Sequence, residues 1–402
     1  MNDTSPFPYH ESVQAWYDLF LKVALERKAW PVDEYAVAED FGEIFVRMAA
    51  QFPNTAPNEI GEDDWAESFL PKAEELYSAA EELNAKGQAQ EAASAYMRSA
   101  NVYRLAYFPW VHMATSRSDA KRYAWQMDKV AFERAIDVGQ TFTSELHWLP
   151  WQSSESKGPG RMFIPIFAYL PAAFETPRAV VLIITGLDHY HTYMLEQITK
   201  LTSYGLAVVV TPMPGTADSP ITGNIPSVDK TYWTTILDWI ESHHEGLDAG
   251  CVSVWGISTG SYWAIKASRF LGDRIRRAVS QGTASHYTFS RTWLEAAEKL
   301  AYPLSLQTAL GRSFGFYDPE DFKSNVQQYS LLDQGLLDMN GALVVGVNGE
   351  GDTIFPIDDQ RILLEHGPGA LLRWFPHMGH NGEPLSSAWL YQFWQDHGAC
   401  NK

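Results

Sequence analysis

Hydrophobic residues recur three and four positions apart through the first third of the chain, from about residue 11 to 136. This spacing places apolar side chains on one face of an α-helix. Leu76 and Leu83 share such a face, and Gly87 is placed to end that helix before the next one begins. The pattern predicts an all-helical domain over residues 1–138.

After residue 139 the pattern changes to short, continuously apolar runs separated by Gly and Pro and alternating with helical segments. Six runs are typical of strands: MFIPIFAYL, AVVLIITG, LAVVVTPMPG, CVSVWGIS, RRAVSQG and GALVVGVNG. Continuously apolar strands are buried on both faces, as in parallel sheets. The pattern predicts an α/β domain over residues 139–402. Residues 286–338 are mostly helical and longer than one crossover helix needs, which predicts a lid.

Composition and charge exclude several classes of function. The 402-residue chain carries a net charge of −19 and has no cluster of Lys and Arg, so we expect no nucleic-acid partner. Its two cysteines, Cys251 and Cys400, fit a reducing compartment and do not predict a disulfide scaffold. With no secretory signal and no run of 18 apolar residues, we expect a cytoplasmic protein without a membrane span. A homodimer is compatible with the sequence.

A G-x-S-x-G motif lies where a predicted strand meets a predicted helix, at Gly256-Ile257-Ser258-Thr259-Gly260. In that context the motif indicates a nucleophile elbow, a sharp turn that exposes a serine above the sheet. Glycines flank the serine because a side chain there would collide with the neighbouring strand and helix. The motif therefore predicts an α/β-hydrolase fold with Ser258 as nucleophile; the alternative is a serine that only caps the helix.

The acid that orients the catalytic base is expected after a later strand, because this fold places serine, acid and histidine in that order. The run GALVVGVNGEGDTIFP ends a strand just before Asp352, which we predict to be the acid, with Glu350 as the rival. Asp358 and Asp359 are predicted to begin the following helix, where carboxylates offset the helix dipole.

Two histidines stand three residues apart in the segment WFPHMGH, after the last apolar run, GALLRWFP. A base must follow the final strand in this fold, and both His377 and His380 do. The residues alone leave the choice between them open.

An oxyanion hole in this fold uses one backbone N–H after the nucleophile and one from the loop after an earlier strand. The first is predicted at Thr259. The second is predicted at Leu187, because Gly186 before it permits close backbone approach. His189 and His191 follow, but no cysteine or carboxylate at fitting spacing completes a ligand set, so we expect no metal site.

Seven short motifs together resemble a known family. They are FLP at 69–71, VYR at 102–104, TGLD at 185–188, PGTAD at 214–218, VWGISTGSYWAI at 254–265, SHY at 285–287 and PHMG at 376–379. The chain resembles the fungal polyketide-shortening hydrolases of the yellowish-green pigment type, in the wider group of 2,6-dihydropseudooxynicotine hydrolase and the FrsA-like esterases. The resemblance implies an N-terminal helical cap domain over the site, no cofactor, and His377 of P-H-M-G as the base.

The resemblance also implies hydrolysis of a carbon–carbon bond in a polyketide-derived β-dicarbonyl, with an aromatic or polyketide small molecule as substrate. A carbon leaving group needs help from an acid, for which Asp188, His286 and Tyr287 are candidates. We expect these three and Tyr262 to contact substrate. An ester or lactone hydrolase or an acyltransferase would use the same triad, and a non-catalytic binding module is the alternative from another class.

Overall fold

A computed structural model describes residues 7–108, 116–139, 142–153, 162–171, 177–243 and 246–400. The chain forms two compact units. One takes the described part of residues 1–141 together with Glu298–Ser305, and the other takes the described part of 142–297 and 306–402. The cap role of the first unit stays a prediction.

The first unit is helical, as its periodicity predicts. Its helices are α1 (Val13–Trp16), α2 (Lys22–Arg27), α3 (Glu39–Gln51), α4 (Glu62–Ala85), α5 (Ala89–Tyr107) and α6 (Asp119–Gly139). Trp65, Phe69 and Leu76 lie on the buried face of α4, at the three- and four-residue spacing of one helix stripe. The indole N–H of Trp16 donates to the carbonyl of Pro303 at 3.3 Å, so the segment Glu298–Ser305 belongs to this core.

The second unit is built on one eight-stranded sheet, with strand order β1-β2-β4-β3-β5-β6-β7-β8. The strands are β1 (Phe142–Trp151), β2 (Met162–Pro171), β3 (Arg178–Ile184), β4 (Ala207–Thr211), β5 (Leu247–Ile257), β6 (Arg277–Gln281), β7 (Leu343–Gly349) and β8 (Ala370–Phe375). Strands β3 to β8 pair in parallel, and β1 and β2 are antiparallel. The α/β-hydrolase fold predicted from the sequence is confirmed.

Strand β1 is absent from the six predicted strands. It lies at the edge of the sheet and pairs only with β2. Most of its residues are exposed, among them Leu146 and Trp148. Because both faces of much of this strand meet solvent, its sequence lacks the apolar run that marks the central strands.

Eight α-helices in the described part of the second unit lie between these strands or after the last of them. They are α7 (Leu195–Ser203), α8 (Thr231–Ser242), α9 (Gly260–Phe270), α10 (Arg291–Ala297), α11 (Leu306–Ser313), α12 (Pro319–Asn325), α13 (Asp358–Arg361) and α14 (Leu385–His397). The predicted lid segment contains α10 to α12. Its Phe314 stacks on Trp263 of α9, with ring centroids 5.9 Å apart. This contact joins the segment to the helix that follows the nucleophile motif.

The two cysteines form a disulfide between Cys251 in β5 and Cys400 after α14. This differs from the sequence-based expectation of a chain without disulfides. The pair is 149 residues apart in sequence, and only the fold brings the two Cα atoms to 4.9 Å. No helix within the described ranges combines the length and the apolar character needed to cross a membrane.

Candidate active site

The nucleophile elbow, residues 256–260, joins β5 to α9. Ser258 has a φ of 53°, in the left-handed region that costs a non-glycine residue about 1–3 kcal/mol. A Cβ on Gly256 would lie 2.3 Å from the carbonyl oxygen of Gly260, and a Cβ on Gly260 would lie 2.3 Å from that of Ile184. Only glycine fits either place, which is why the motif carries glycine on both sides of the serine.

His380 is the histidine that meets Ser258. The Ser258 hydroxyl lies 2.7 Å from His380 Nε2, and His380 Nδ1 lies 2.8 Å from Asp352 Oδ2. With Nδ1–H donating to the carboxylate, Nε2 is left to accept the serine proton, the arrangement that a general base requires. The ring of Phe355 packs edge-on against the imidazole, with centroids 5.0 Å apart.

The prediction of His377 as the base is corrected by this geometry. His377 is exposed, has a φ of 63°, and stands at the apex of the turn that follows β8. The amide of Gly351 donates to the carbonyl of Met378 at 2.9 Å, which holds this turn against the end of β7. His377 therefore faces solvent, and the next turn of chain brings His380 to the serine. Residues 376–384 are called the base loop below.

Asp352 is held from several directions. Its Oδ1 accepts the amides of Ile354 at 2.8 Å and Phe355 at 3.1 Å, and its Oδ2 accepts the Asn348 side-chain amide at 2.8 Å. The carboxylate is fully buried, whereas the His380 side chain is 14% exposed. These donors fix the carboxylate that orients the imidazole. Glu350, its rival, is exposed.

The loop after β3 lies directly against the nucleophile. A Cβ on Gly186 would be 3.1 Å from Ser258 Cβ and 3.0 Å from the carbonyl oxygen of Ile257. Among the described residues, neither the Leu187 nor the Thr259 backbone N–H has a hydrogen-bond acceptor. Both amides are thus available for an oxyanion, and their role stays a prediction.

His286 and Tyr287 lie in the turn after β6, next to the strand that ends in the serine. Asp359 of α13 accepts both of their backbone amides at 2.6 Å, and His286 Nδ1 lies 2.6 Å from the Ser330 hydroxyl. Burial raises the pKa of Asp359. Asp359 begins α13 as predicted, and its carboxylate fixes this turn, a contact that the sequence pattern does not reveal. Tyr287 and half-buried Asp188 both have exposed surface.

Tyr262 is another residue that the sequence predicts to contact substrate. It is fully buried, and its ring packs against Trp263 at 5.0 Å and Phe289 at 4.8 Å. Lys266, one helical turn later, donates to its hydroxyl at 3.3 Å. Burial raises the pKa of Tyr262 well above its usual range. Its side chain lies in the core beside α9 and has no exposed surface, and its contact with substrate stays a prediction.

Comparison with known proteins agrees with this architecture. No family model matches the chain. It is 25% identical to the alpha/beta hydrolase ucsC of Acremonium sp. over 256 residues, which are 60% of this chain and 49% of ucsC. The chain therefore spans about half the length of the curated relative that it matches.

Two solved structures are similar over most of the chain. One is the 2,6-dihydroxy-pseudo-oxynicotine hydrolase, with a TM-score of 0.64 and 18% identity, covering 89% of this chain and 93% of that one. The other is wild-type AbyA5, with a TM-score of 0.62 and 18% identity, covering 90% and 95%. These similarities show the α/β-hydrolase fold, within which a serine, a histidine and a buried aspartate are joined by hydrogen bonds.

Proposed function

We propose that this chain is a serine hydrolase that forms an acyl-enzyme on Ser258, with His380 as base and Asp352 as the orienting acid. The observation that carries the proposal is the unbroken chain of hydrogen bonds, 2.7 Å from serine to imidazole and 2.8 Å from imidazole to carboxylate. A helix-capping serine needs neither contact. The hydrolase fold and the alpha/beta hydrolase relative support the same activity.

The chemistry follows from the positions of the protons. His380 takes the hydroxyl proton as Ser258 Oγ attacks the substrate carbonyl, and the imidazolium is stabilised by Asp352. The amides of Thr259 and Leu187 hold the oxyanion, each worth about 10²–10³ in kcat. His380 then gives its proton to the leaving group, and water repeats the sequence to release the acid and restore Ser258.

For the substrate we propose a polyketide-derived β-dicarbonyl that is cleaved at a carbon–carbon bond. The bond between the attacked carbonyl carbon and the central carbon breaks, its electron pair leaves as an enolate, and a proton converts that enolate to a ketone. The second carbonyl delocalises the charge, so no other electron acceptor is needed. Asp188, His286 and Tyr287 remain our candidates for groups that assist this departure. The motifs shared with polyketide-shortening hydrolases support this choice, and a hydrolase acting on 2,6-dihydroxy-pseudo-oxynicotine shares the fold.

An ester or lactone hydrolase, or an acyltransferase, is the alternative, because the same serine, histidine and aspartate serve these reactions. The 402-residue chain is incubated with a panel of aryl esters and acylated naphthopyrones, and the products are identified by mass spectrometry. Release of a shortened naphthopyrone with its carboxylic acid supports carbon–carbon cleavage. Turnover of esters alone contradicts it.

The serine itself is tested with two matched variants. Ser258→Ala should lose about 10⁶-fold in kcat, the loss expected when a serine nucleophile is removed. Ser268→Ala removes a buried hydroxyl from α9, the helix that follows the elbow, where it only donates to the carbonyl of Ile265 at 2.7 Å, and should keep the activity. If Ser258→Ala is as active as Ser268→Ala, Ser258 is not the nucleophile, and a non-catalytic binding module becomes the favoured alternative.

A further inference from the structure

Gln281 is a buried residue that touches the nucleophile through its backbone. It is the last residue of β6 and is 2% exposed. The backbone N–H of Ser258 donates to its carbonyl oxygen at 2.7 Å. Because Ser258 has a left-handed backbone, this hydrogen bond supports a conformation that the serine does not favour by itself.

The Gln281 side chain contacts both sides of the candidate active site. Its Oε1 accepts the indole N–H of Trp255, in β5 before the elbow, at 3.1 Å. Its Nε2 donates to Glu383 Oε1 at 2.9 Å and to Ser386 Oγ at 3.1 Å, with a longer contact of 3.3 Å to the Asn381 carbonyl. One amide therefore joins the nucleophile strand to the chain that follows His380.

Glu383 is the acidic partner in this connection. The Ser387 hydroxyl lies 2.7 and 2.8 Å from its two carboxylate oxygens, so Gln281 and Ser387 hold it from two elements. Burial raises the pKa of Glu383, and the carboxylate of Glu196 acts in the same direction. Glu383 is half-buried, and a carboxyl group taken partly out of water is costly unless it is hydrogen-bonded, so the Gln281 amide supports its position.

The turn after Gln281 also packs directly against the base loop. Gly282 has a φ of 70°, and a Cβ there would lie 2.0 Å from Asn381 Oδ1 and 3.1 Å from His380 Cε1. The imidazole thus rests on the backbone next to Gln281. A displacement of the 281–282 backbone would move Ser258 and His380 relative to each other.

We propose that Gln281 and Glu383 are a positioning pair that sets the separation between Ser258 Oγ and His380 Nε2. The inference rests on the proposed function, in which that hydrogen bond carries the proton. Misplacement of a reacting group by about 1 Å can cost about 10²-fold in rate. The pair contacts the strand before the nucleophile and the loop after the base, so its loss should lower kcat more than it raises KM.

The first test uses hydrolysis of p-nitrophenyl acetate by the 402-residue chain. Gln281→Leu should lower kcat by about 10²-fold and change KM by less than about twofold. Gln360→Leu is the matched control, because Gln360 is another buried glutamine whose amide donates to a backbone carbonyl, that of Arg373 at 3.3 Å. The control should keep kcat within about threefold of the unsubstituted chain. Equal losses in both variants would contradict the proposal.

The second test exchanges the two side chains and holds even if Gln281→Leu does not fold. Gln281→Glu alone places two carboxyl groups together, and Glu383→Gln alone places two amides together. The exchange variant, which carries both substitutions, restores one carboxylate and one amide. If the pair acts as a unit, the kcat of the exchange variant should be about tenfold or more above the value expected when the two single losses are multiplied together. Purely multiplicative losses would overturn the inference.

The outcomes separate this inference from the proposed function. If Ser258→Ala keeps full esterase activity, the proposed function is wrong. If Ser258→Ala is inactive while Gln281→Leu and the exchange variant are as active as the unsubstituted chain, only the positioning role is wrong.

Discussion

The nucleophile elbow and the base loop each bring one side chain to the hydrogen bond between Ser258 and His380, but they are built differently. The elbow geometry follows from its own sequence, because Gly256 and Gly260 leave one tight path from β5 into α9. The base loop contains two histidines three residues apart, and distant contacts choose between them. In this loop the carbonyl of Met378 accepts the backbone N–H of Gly351, and the His380 side chain packs against Gly282.

This difference teaches that a motif can identify a nucleophile while the base depends on tertiary packing. In the elbow, the positions that must lack a side chain are glycines of the motif itself, because a Cβ would clash at Gly256 with Gly260 and at Gly260 with Ile184 of β3. In the base loop, two positions could each present an imidazole, and the one that meets Asp352 is selected by contacts with Gly282 after β6 and Gly351 after β7.

Asp352→Asn should lower kcat by about 10⁴-fold, because an amide can donate to Nδ1 and so hold the imidazole in the wrong tautomer. The elbow is untouched by this change. Glu350→Gln, which alters the exposed rival two residues earlier, should keep kcat within about twofold. Initial rates on p-nitrophenyl acetate compare the two variants. A larger loss of kcat in Glu350→Gln would show that Glu350, and not Asp352, is the orienting acid.

The disulfide joins the strand of the elbow to the chain that follows α14, the helix after the base loop. Cys400→Ser should lower the free energy of unfolding by about 2–4 kcal/mol, because the unfolded chain is no longer cross-linked. Urea unfolding measures the loss, and kcat at low temperature should stay unchanged. A reducing agent should destabilise the unsubstituted chain to the same extent and leave Cys400→Ser unaffected. Two free thiols in the unfolded, unreduced chain would contradict the prediction.

Glu383→Gln should change how stability depends on pH. Burial raises the pKa of Glu383 above 4.5, its value in the unfolded chain. As the pH rises from 4.5 toward the raised pKa, the unfolded chain releases a proton that the folded chain keeps. The free energy of unfolding therefore falls with increasing pH between 4.5 and the raised pKa. Relative to Glu383→Gln, the unsubstituted chain should lose stability as the pH rises above 4.5.

Urea midpoints of both proteins across this pH range measure the difference. The elbow region, residues 254–264, contains no acidic residue, so Ser261→Ala should show a stability difference that does not vary with pH. A Glu383→Gln difference that is constant, or that changes in the opposite direction, would contradict the raised pKa.

Much of the fold and part of the site could be predicted from the sequence for physical reasons. Central strands are buried on both faces and therefore read as apolar runs, while the exposed edge strand β1 does not. Asp352 follows β7 directly, so its place could be predicted from the strand. Tyr262 lies four residues after Ser258, but only the packing of Phe289 reveals that its ring is buried. The Cys251–Cys400 bond and the choice of His380 arise from contacts between residues distant in sequence.

Activation of Ser258 by His380 can be measured as the rate at which a fluorophosphonate modifies Ser258. Intact-mass spectrometry follows the adduct in the unsubstituted chain, in His377→Ala and in His380→Ala. We predict that His377→Ala is modified within about threefold of the unsubstituted rate and that His380→Ala is slower by about 10³-fold or more. Slow modification of His377→Ala with normal modification of His380→Ala would instead identify His377 as the base.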